Sequence, residues 1–128
     1  MSYHFSKIVD VSYEDAIQHV TEILKNNGFG VLTTIDIKAT LKKKLDVDFR
    51  PYTILGACSP QHAYEALLAE PHIGTMLPCN VIVQDHGEGK VEVSAIDPMA
   101  SMQAVENPDL GDMATTVQAL LKKVISEL

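Results

Sequence analysis

The chain has 128 residues, 46% of them hydrophobic and 21% charged, which is typical of a single globular domain spanning residues 1–128. Its formal net charge is −7, and three adjacent lysines, Lys42, Lys43 and Lys44, form its only basic cluster. This acidic balance argues against nucleic acid as a partner, because a nucleic-acid binder needs a basic surface.

The chain also lacks the features of a membrane protein. Its first residues contain no apolar segment of the kind found in signal peptides, and no run reaches the ~20 apolar residues that a membrane span needs. We therefore expect a cytoplasmic protein with no membrane partner. In that reducing compartment, Cys58 and Cys79 are expected to be free thiols.

The first half of the chain predicts three strands and two helices. Residues 3–10 form an imperfectly alternating strand, and a helix over 12–28 is bounded by Ser12 as N-cap and Gly28 as its stop. Residues 29–37 alternate as a strand, with five side chains expected on one face: Phe29, Val31, Thr33, Ile35 and Ile37. A short helix over 38–46 and a strand over 52–58 follow.

The second half is divided by prolines. Ser59 and Pro60 indicate a helix that begins with an N-cap serine and ends before Pro71. Residues 71–78 are predicted as a loop. Strands over 80–84 and 90–96 form a hairpin with one wet face, and an amphipathic helix ends the chain.

These elements follow the order β-α-β-α-β-α-β-β-α, which favours an α+β fold. We expect a sheet with antiparallel pairing and with its helices packed on one face. The uncovered face would invite a partner, and dimerisation would hide it.

Two cysteines are the main candidates for chemistry. Cys58 ends a strand directly before a helix N-terminus, which lowers the pKa of a nearby thiol, and Cys79 lies where a loop becomes a strand. If strands 52–58 and 80–84 are antiparallel neighbours, both sulfurs lie at the same edge of the sheet. The alternatives are a reactive pair, a ligand pocket that uses one thiol, and two small buried side chains that only pack.

Other chemistry has weaker support in the sequence. A zinc site that adds His62 and His72 to the cysteines matches no close finger spacing, so no metal and no cofactor are predicted. Asp97 ends a strand before Pro98 and is a weak ligand-binding candidate beside its ordinary role as a turn residue. No motif names a reaction, and no catalytic residue is firm.

Several short strings resemble one known family: 56–60 (Gly-Ala-Cys-Ser-Pro), 70–71 (Glu-Pro), 73–74 (Ile-Gly), 77–81 (Leu-Pro-Cys-Asn-Val) and 97–98 (Asp-Pro). Over most of its length the chain is similar to the domain of unknown function 302 family. The resemblance implies a compact α+β domain that pairs as a homodimer, with no established activity. It supports Cys58, Cys79, Asn80 and Asp97 as site positions, and Ser59 stands where the family pattern has Asn.

Three functions follow as hypotheses. The first is a homodimeric module that binds an unidentified small molecule in a cleft near Cys58, Cys79 and Asn80, with Met76 and Leu77 desolvating the ligand. The second is a thiol-based redox enzyme or sensor that uses Cys58 and Cys79. The third is a purely structural assembly domain. Whether the protein is an enzyme stays open.

Overall fold

A five-stranded sheet forms the centre of the computed structural model, which describes residues 2–128. Its strands lie in the spatial order β1-β5-β4-β3-β2, and every neighbouring pair is antiparallel. This confirms the predicted α+β class and the antiparallel pairing. The strands are β1 (His4–Val9), β2 (Gly30–Asp36), β3 (Tyr52–Cys58), β4 (Cys79–Asp85) and β5 (Val91–Ile96).

The helices lie between and after these strands in the predicted order. Two short 3₁₀ helices, Pro71–Met76 and Pro108–Leu110, accompany the α-helices. The α-helices are α1 (Tyr13–Asn26), α2 (Ile37–Leu45), α3 (Pro60–Ala69), α4 (Pro98–Ser101) and α5 (Gly111–Ser126). None of the helices that the structure describes is long and apolar enough to cross a membrane.

Helix α1 begins and ends as its sequence predicts. The Ser12 hydroxyl accepts a hydrogen bond from the backbone N–H of Asp15 at 3.1 Å, which satisfies one of the free donors of the first turn. After the helix, Gly28 has a φ of +87°, a conformation that glycine adopts without a steric penalty. The chain then turns directly into β2.

Helices α1 and α5 cover one face of the sheet and form the core with it. Their apolar faces contribute Val20, Leu24, Leu121 and Val124, all of which are fully buried. Alternate residues of the central strands meet them, among them Leu55, Val81, Val83 and Val93. The prediction that helices pack on one face of the sheet is therefore confirmed.

The opposite face, called here the open face, carries an apolar row across the strands. Ile35 lies opposite Ile54, and Ile54 lies opposite Ile82 in the next strand. The row continues through Ser94 to Ser6, whose hydroxyls are 2.7 Å apart. Ile35 is 44% exposed, so the β2 side of this face is open to solvent.

Strand β2 departs from the predicted alternation. The register shifts between Val31 and Thr33, so that Val31 lies opposite Ala57 whereas Thr33 lies opposite Gly56. Val31 consequently shares the core face, while Thr33 and Ile35 share the open face. The expectation that all five alternating residues of 29–37 lie on one face was wrong, because a bulge shifts the side-chain alternation by one residue.

The segment predicted as a loop over 71–78 is partly helical. Pro71–Met76 forms a 3₁₀ helix, which buries Ile73 in a small second cluster with Ala66 and Leu110. Proline at the first position favours this helical turn, since its fixed φ suits a helix start. The segment therefore packs against α3 and leads into the beginning of β4.

Candidate thiol-lined cavity

The carboxyl end of β3 and the amino end of β4 bring the two cysteines to one edge of the sheet. Because the strands are antiparallel neighbours, Ala57 lies directly opposite Cys79, and Cys58 is the next residue along β3. Ladder geometry gives a Cα separation between Cys58 and Cys79 of about 6 Å. Both cysteines are half-buried free thiols.

A cavity of about 40 Å³ lies at this edge, and both cysteines contribute to its wall. Helices α3 and α5 close it from the side, and Leu77 and Pro78 close it from the segment before β4. Most of the remaining wall is apolar, including Phe29, Ala66, Met102, Met113, Ala114 and Val117. For this reason the cavity, called here the thiol cavity, favours an apolar group.

The two thiols differ in their surroundings. Burial, together with a smaller electrostatic contribution from the neighbouring Cys58, raises the pKa of the Cys79 thiol to about 11. Cys79 is therefore protonated at neutral pH and acts as part of an apolar wall. Any thiolate chemistry at this site would have to begin at Cys58.

Ser59 and His62 add a polar pair to the same wall. The Ser59 hydroxyl lies 2.7 Å from His62 Nδ1 and makes no hydrogen bond to the first turn of α3. Ser59 occupies the N-cap position as predicted, but its hydroxyl bonds the imidazole in place of the backbone. Sequence reasoning missed this pair, although residues three apart on a helix are neighbours.

Asn80 lies elsewhere. It is exposed on the open face opposite Gly56, where it lines a shallow groove of about 380 Å³ with Tyr52 and Ile82. Neighbouring residues of a strand point to opposite faces, which separates Asn80 from Cys79. The structure therefore does not bring Asn80 into the thiol cavity. Of the two predicted desolvating residues, Leu77 lines the cavity and Met76 does not.

Asp97 joins two helices. Its Oδ1 accepts hydrogen bonds from the backbone N–H of Met99 at 2.9 Å and from Gln118 Nε2 at 3.0 Å. It thus caps α4 and ties that helix to α5. Asp97 lines a different groove, beside α4, and not the thiol cavity.

Of the two histidines considered for a zinc site, only His62 shares the cavity wall with the cysteines. His72 is exposed, and its nearest acidic partner is Glu70 at 3.6 Å. Among residues 2–128, no three His, Cys, Asp or Glu side chains converge to hold a metal ion.

A polar chain borders the open-face groove. Arg50 Nε donates to Gln84 Oε1 at 3.0 Å, and Gln84 Nε2 donates to Glu92 Oε1 at 3.2 Å. The Arg50 guanidinium also stacks 4.6 Å from the centre of the Phe49 ring. Because Gln84 is only 8% exposed, its hydrogen bond positions the Arg50 side chain at the edge of the groove.

Comparison with known proteins agrees with this fold. The profile of the family described as domain of unknown function DUF302 matches residues 5–128. A crystal structure of an uncharacterized conserved protein DUF302 from Bacillus stearothermophilus has a TM-score of 0.90 and 27% sequence identity to this chain, and the match covers 98% of both chains. No curated protein matches significantly. Since the family match covers almost the whole chain and confirms the resemblance, this protein belongs to the DUF302 family.

Proposed function

We propose that the protein is a homodimeric module that binds a small molecule, and that the apolar part of the ligand enters the thiol cavity. The observation that carries this proposal is an apolar cavity with two thiols, a hydroxyl and an imidazole in its wall. Ligand sites commonly combine an apolar lining with a few polar groups that fix orientation. Cys58, Ser59 and His62 would serve as the polar groups here.

The size of the cavity limits the ligand. A volume of about 40 Å³ holds the equivalent of roughly three water-sized groups. A short, unbranched chain would fit, whereas an aromatic ring would require the walls to move. The rest of the ligand would lie outside the cavity, beside the first turn of α3.

The open face supports the homodimer. One face of an antiparallel sheet is commonly solvated and polar, but here Ile35, Ile54 and Ile82 form a continuous apolar row. Two copies with a net charge of −7 repel each other at long range. On the open face Glu92 and the cationic Arg50 both hydrogen-bond Gln84, so a negative charge there is accompanied by a positive one, which lessens the repulsion where two copies would meet.

Methionine methyl NMR tests the binding proposal, with butan-2-one as a small probe that has a polar carbonyl and a short apolar chain. Met102 and Met113 line the thiol cavity, whereas Met76 and Met99 do not and serve as internal controls. We expect saturable shifts of the Met102 and Met113 methyl signals only. Equal, non-saturating shifts of all four signals would contradict the proposal.

A thiol redox function is the second candidate, favoured by the two free cysteines that share one cavity wall. In this scheme the Cys58 thiolate attacks a low-molecular-weight disulfide and releases one thiol. Cys79 then displaces the second thiol and forms an intramolecular disulfide, which leaves the small disulfide reduced and the protein oxidised. Their Cα separation of about 6 Å is within the range of a disulfide. However, Cys58 follows Ala57, the residue opposite Cys79, and successive residues of a strand point to opposite faces. The end of β3 would therefore have to move before the two sulfurs could bond.

Oxidised glutathione distinguishes the two candidates. The redox scheme predicts that intact mass falls by two hydrogen atoms as the intramolecular disulfide forms, and that a mixed disulfide accumulates on Cys58 in the Cys79→Ser variant. Binding alone predicts no change in mass and unaltered butan-2-one binding after incubation.

A further inference from the structure

We propose that Ser59 and His62 form a nucleophile–base pair that hydrolyses short-chain acyl esters held in the thiol cavity. This inference rests on the proposed binding function, because the acyl chain of the ester would occupy the same cavity. It adds a reaction to that function and assigns it to a side-chain pair distinct from the two thiols.

The pair has the geometry that nucleophilic catalysis requires. The Ser59 hydroxyl and His62 Nδ1 are 2.7 Å apart, within the range for a hydroxyl that donates its proton to a general base. Both side chains are half-buried and both line the cavity. An acyl chain inside the cavity would bring its carbonyl carbon to the Ser59 hydroxyl.

The hydrogen bond between the Ser59 hydroxyl and the His62 imidazole is unusual for a residue at a helix N-cap. A serine at an N-cap ordinarily accepts a hydrogen bond from the second or third residue of the helix, but Ser59 makes no such bond. The backbone N–H groups of Gln61 and His62 have no acceptor within the helix, since they belong to its first turn. They would be available to a carbonyl oxygen that becomes negatively charged beside Ser59.

The reaction would proceed in two balanced steps. Ser59 Oγ attacks the carbonyl carbon while its proton passes to His62 Nδ1, and the bond to the alcohol breaks as His62 returns the proton to the departing oxygen. Water, deprotonated by the same nitrogen, then attacks the acyl-serine. The bond to Oγ breaks, the carboxylic acid leaves and Ser59 regains its proton.

The surroundings of the pair define the substrate class. Among the described residues His62 makes no ion pair with a carboxylate, so the charged imidazole lacks the stabilisation that a third group gives in a catalytic triad. We therefore expect the substrates to be esters with good leaving groups, and we expect no hydrolysis of amides. The small cavity favours acetyl esters over long-chain esters.

Release of nitrophenolate from p-nitrophenyl acetate tests the proposal. Ser59→Ala and His62→Gln should each lower kcat/KM by about 100-fold or more, in the range expected for removal of a nucleophile or general base. His72→Gln is the matched control and should change nothing, because His72 is exposed and lies outside the cavity wall. Turnover that is unchanged in Ser59→Ala, or wild-type turnover no faster than free imidazole, would overturn the proposal.

Two further measurements separate this proposal from the binding function. Butan-2-one binding by the wild-type protein, followed through the Met102 and Met113 methyl signals, reports the binding function separately from ester hydrolysis. A fluorophosphonate probe should label Ser59 of the wild-type protein, as located by mass spectrometry. Binding of butan-2-one without labelling of Ser59 would overturn the esterase alone, whereas failure of butan-2-one to bind would contradict the binding function as well.

Discussion

At the scale of single residues, Gly56 shows how closely the segment before β4 packs on the sheet. A Cβ at this position would lie 2.7 Å from Pro78 Cγ and would overlap the hydroxyl of Thr33. Glycine is required here by the space available, since no positive φ is involved. Pro78, which this glycine accommodates, also lines the thiol cavity.

Gly56→Ala should therefore lower the free energy of unfolding by about 1–3 kcal/mol, the usual cost of overpacking. Gly30→Ala is the matched control, because nothing lies within 4 Å of a Cβ at Gly30. Urea denaturation measures both variants. Equal stability of the two variants would show that Pro78 and Thr33 do not pack on Gly56 as described.

Burial of Cys79 predicts a pH dependence of stability. Its pKa rises from 9.0 to about 11 on folding, so the folded state holds the proton more tightly than the unfolded chain. This contribution is fully present below about pH 9 and is lost as the pH rises through 11. The free energy of unfolding of the wild type, minus that of Cys79→Ala, should fall over this interval by at most about 2–3 kcal/mol. A difference that stays constant from pH 8 to 11 would contradict the buried, protonated thiol.

At the scale of elements, Asp97 has a structural role as the junction between α4 and α5. Asp97→Ala removes the carboxylate oxygen that accepts both hydrogen bonds, and the change should destabilise the protein by about 1–2 kcal/mol. Asp97→Asn keeps an acceptor oxygen and should cost less. Thermal denaturation measures both variants, and butan-2-one affinity should be unchanged in each. Weakened butan-2-one binding in the stable Asn variant would indicate a ligand-binding role for Asp97.

The elements were predictable from the sequence where local signals agree. Helix α1 has a cap at Ser12, an apolar face and a stop at Gly28, so its boundaries follow from residues within one segment. The 3₁₀ helix Pro71–Met76 was not predicted, because a segment that contains Gly74 and lies between prolines fits a loop equally well. The bulge in β2 was not predictable either, since it depends on pairing with β3, a contact between distant parts of the chain.

The candidate site was only partly predictable, for a similar reason. Antiparallel pairing of β3 and β4 brings Cys58 and Cys79 to one cavity, as the spacing allowed. Asn80 was grouped with them because the family resemblance supports all three positions, but adjacent strand residues point to opposite faces. The bond between Ser59 and His62 was missed because an N-cap serine was assigned its ordinary backbone partner.

At the scale of the whole molecule, the open face predicts self-association. Ile54 lies at the centre of the isoleucine row, and burying a charge there without a partner is costly. Ile54→Lys should raise the dimer dissociation constant at least about tenfold, measured by sedimentation equilibrium. Leu68→Lys, at an exposed position on α3, is the control and should leave self-association unchanged. A wild-type protein that stays monomeric at high concentration would contradict the homodimer.

The proposed binding function requires the thiol cavity to hold the apolar part of a small ligand. The most direct measurement is methionine methyl NMR with butan-2-one on two variants of α5. Ala114→Leu fills the cavity, whereas Ala119→Leu adds the same side chain at an exposed position of the same helix. We expect binding to be lost in Ala114→Leu and retained in Ala119→Leu, with both proteins folded. Equal affinity in the two variants would contradict it, because the ligand would then bind somewhere other than the thiol cavity.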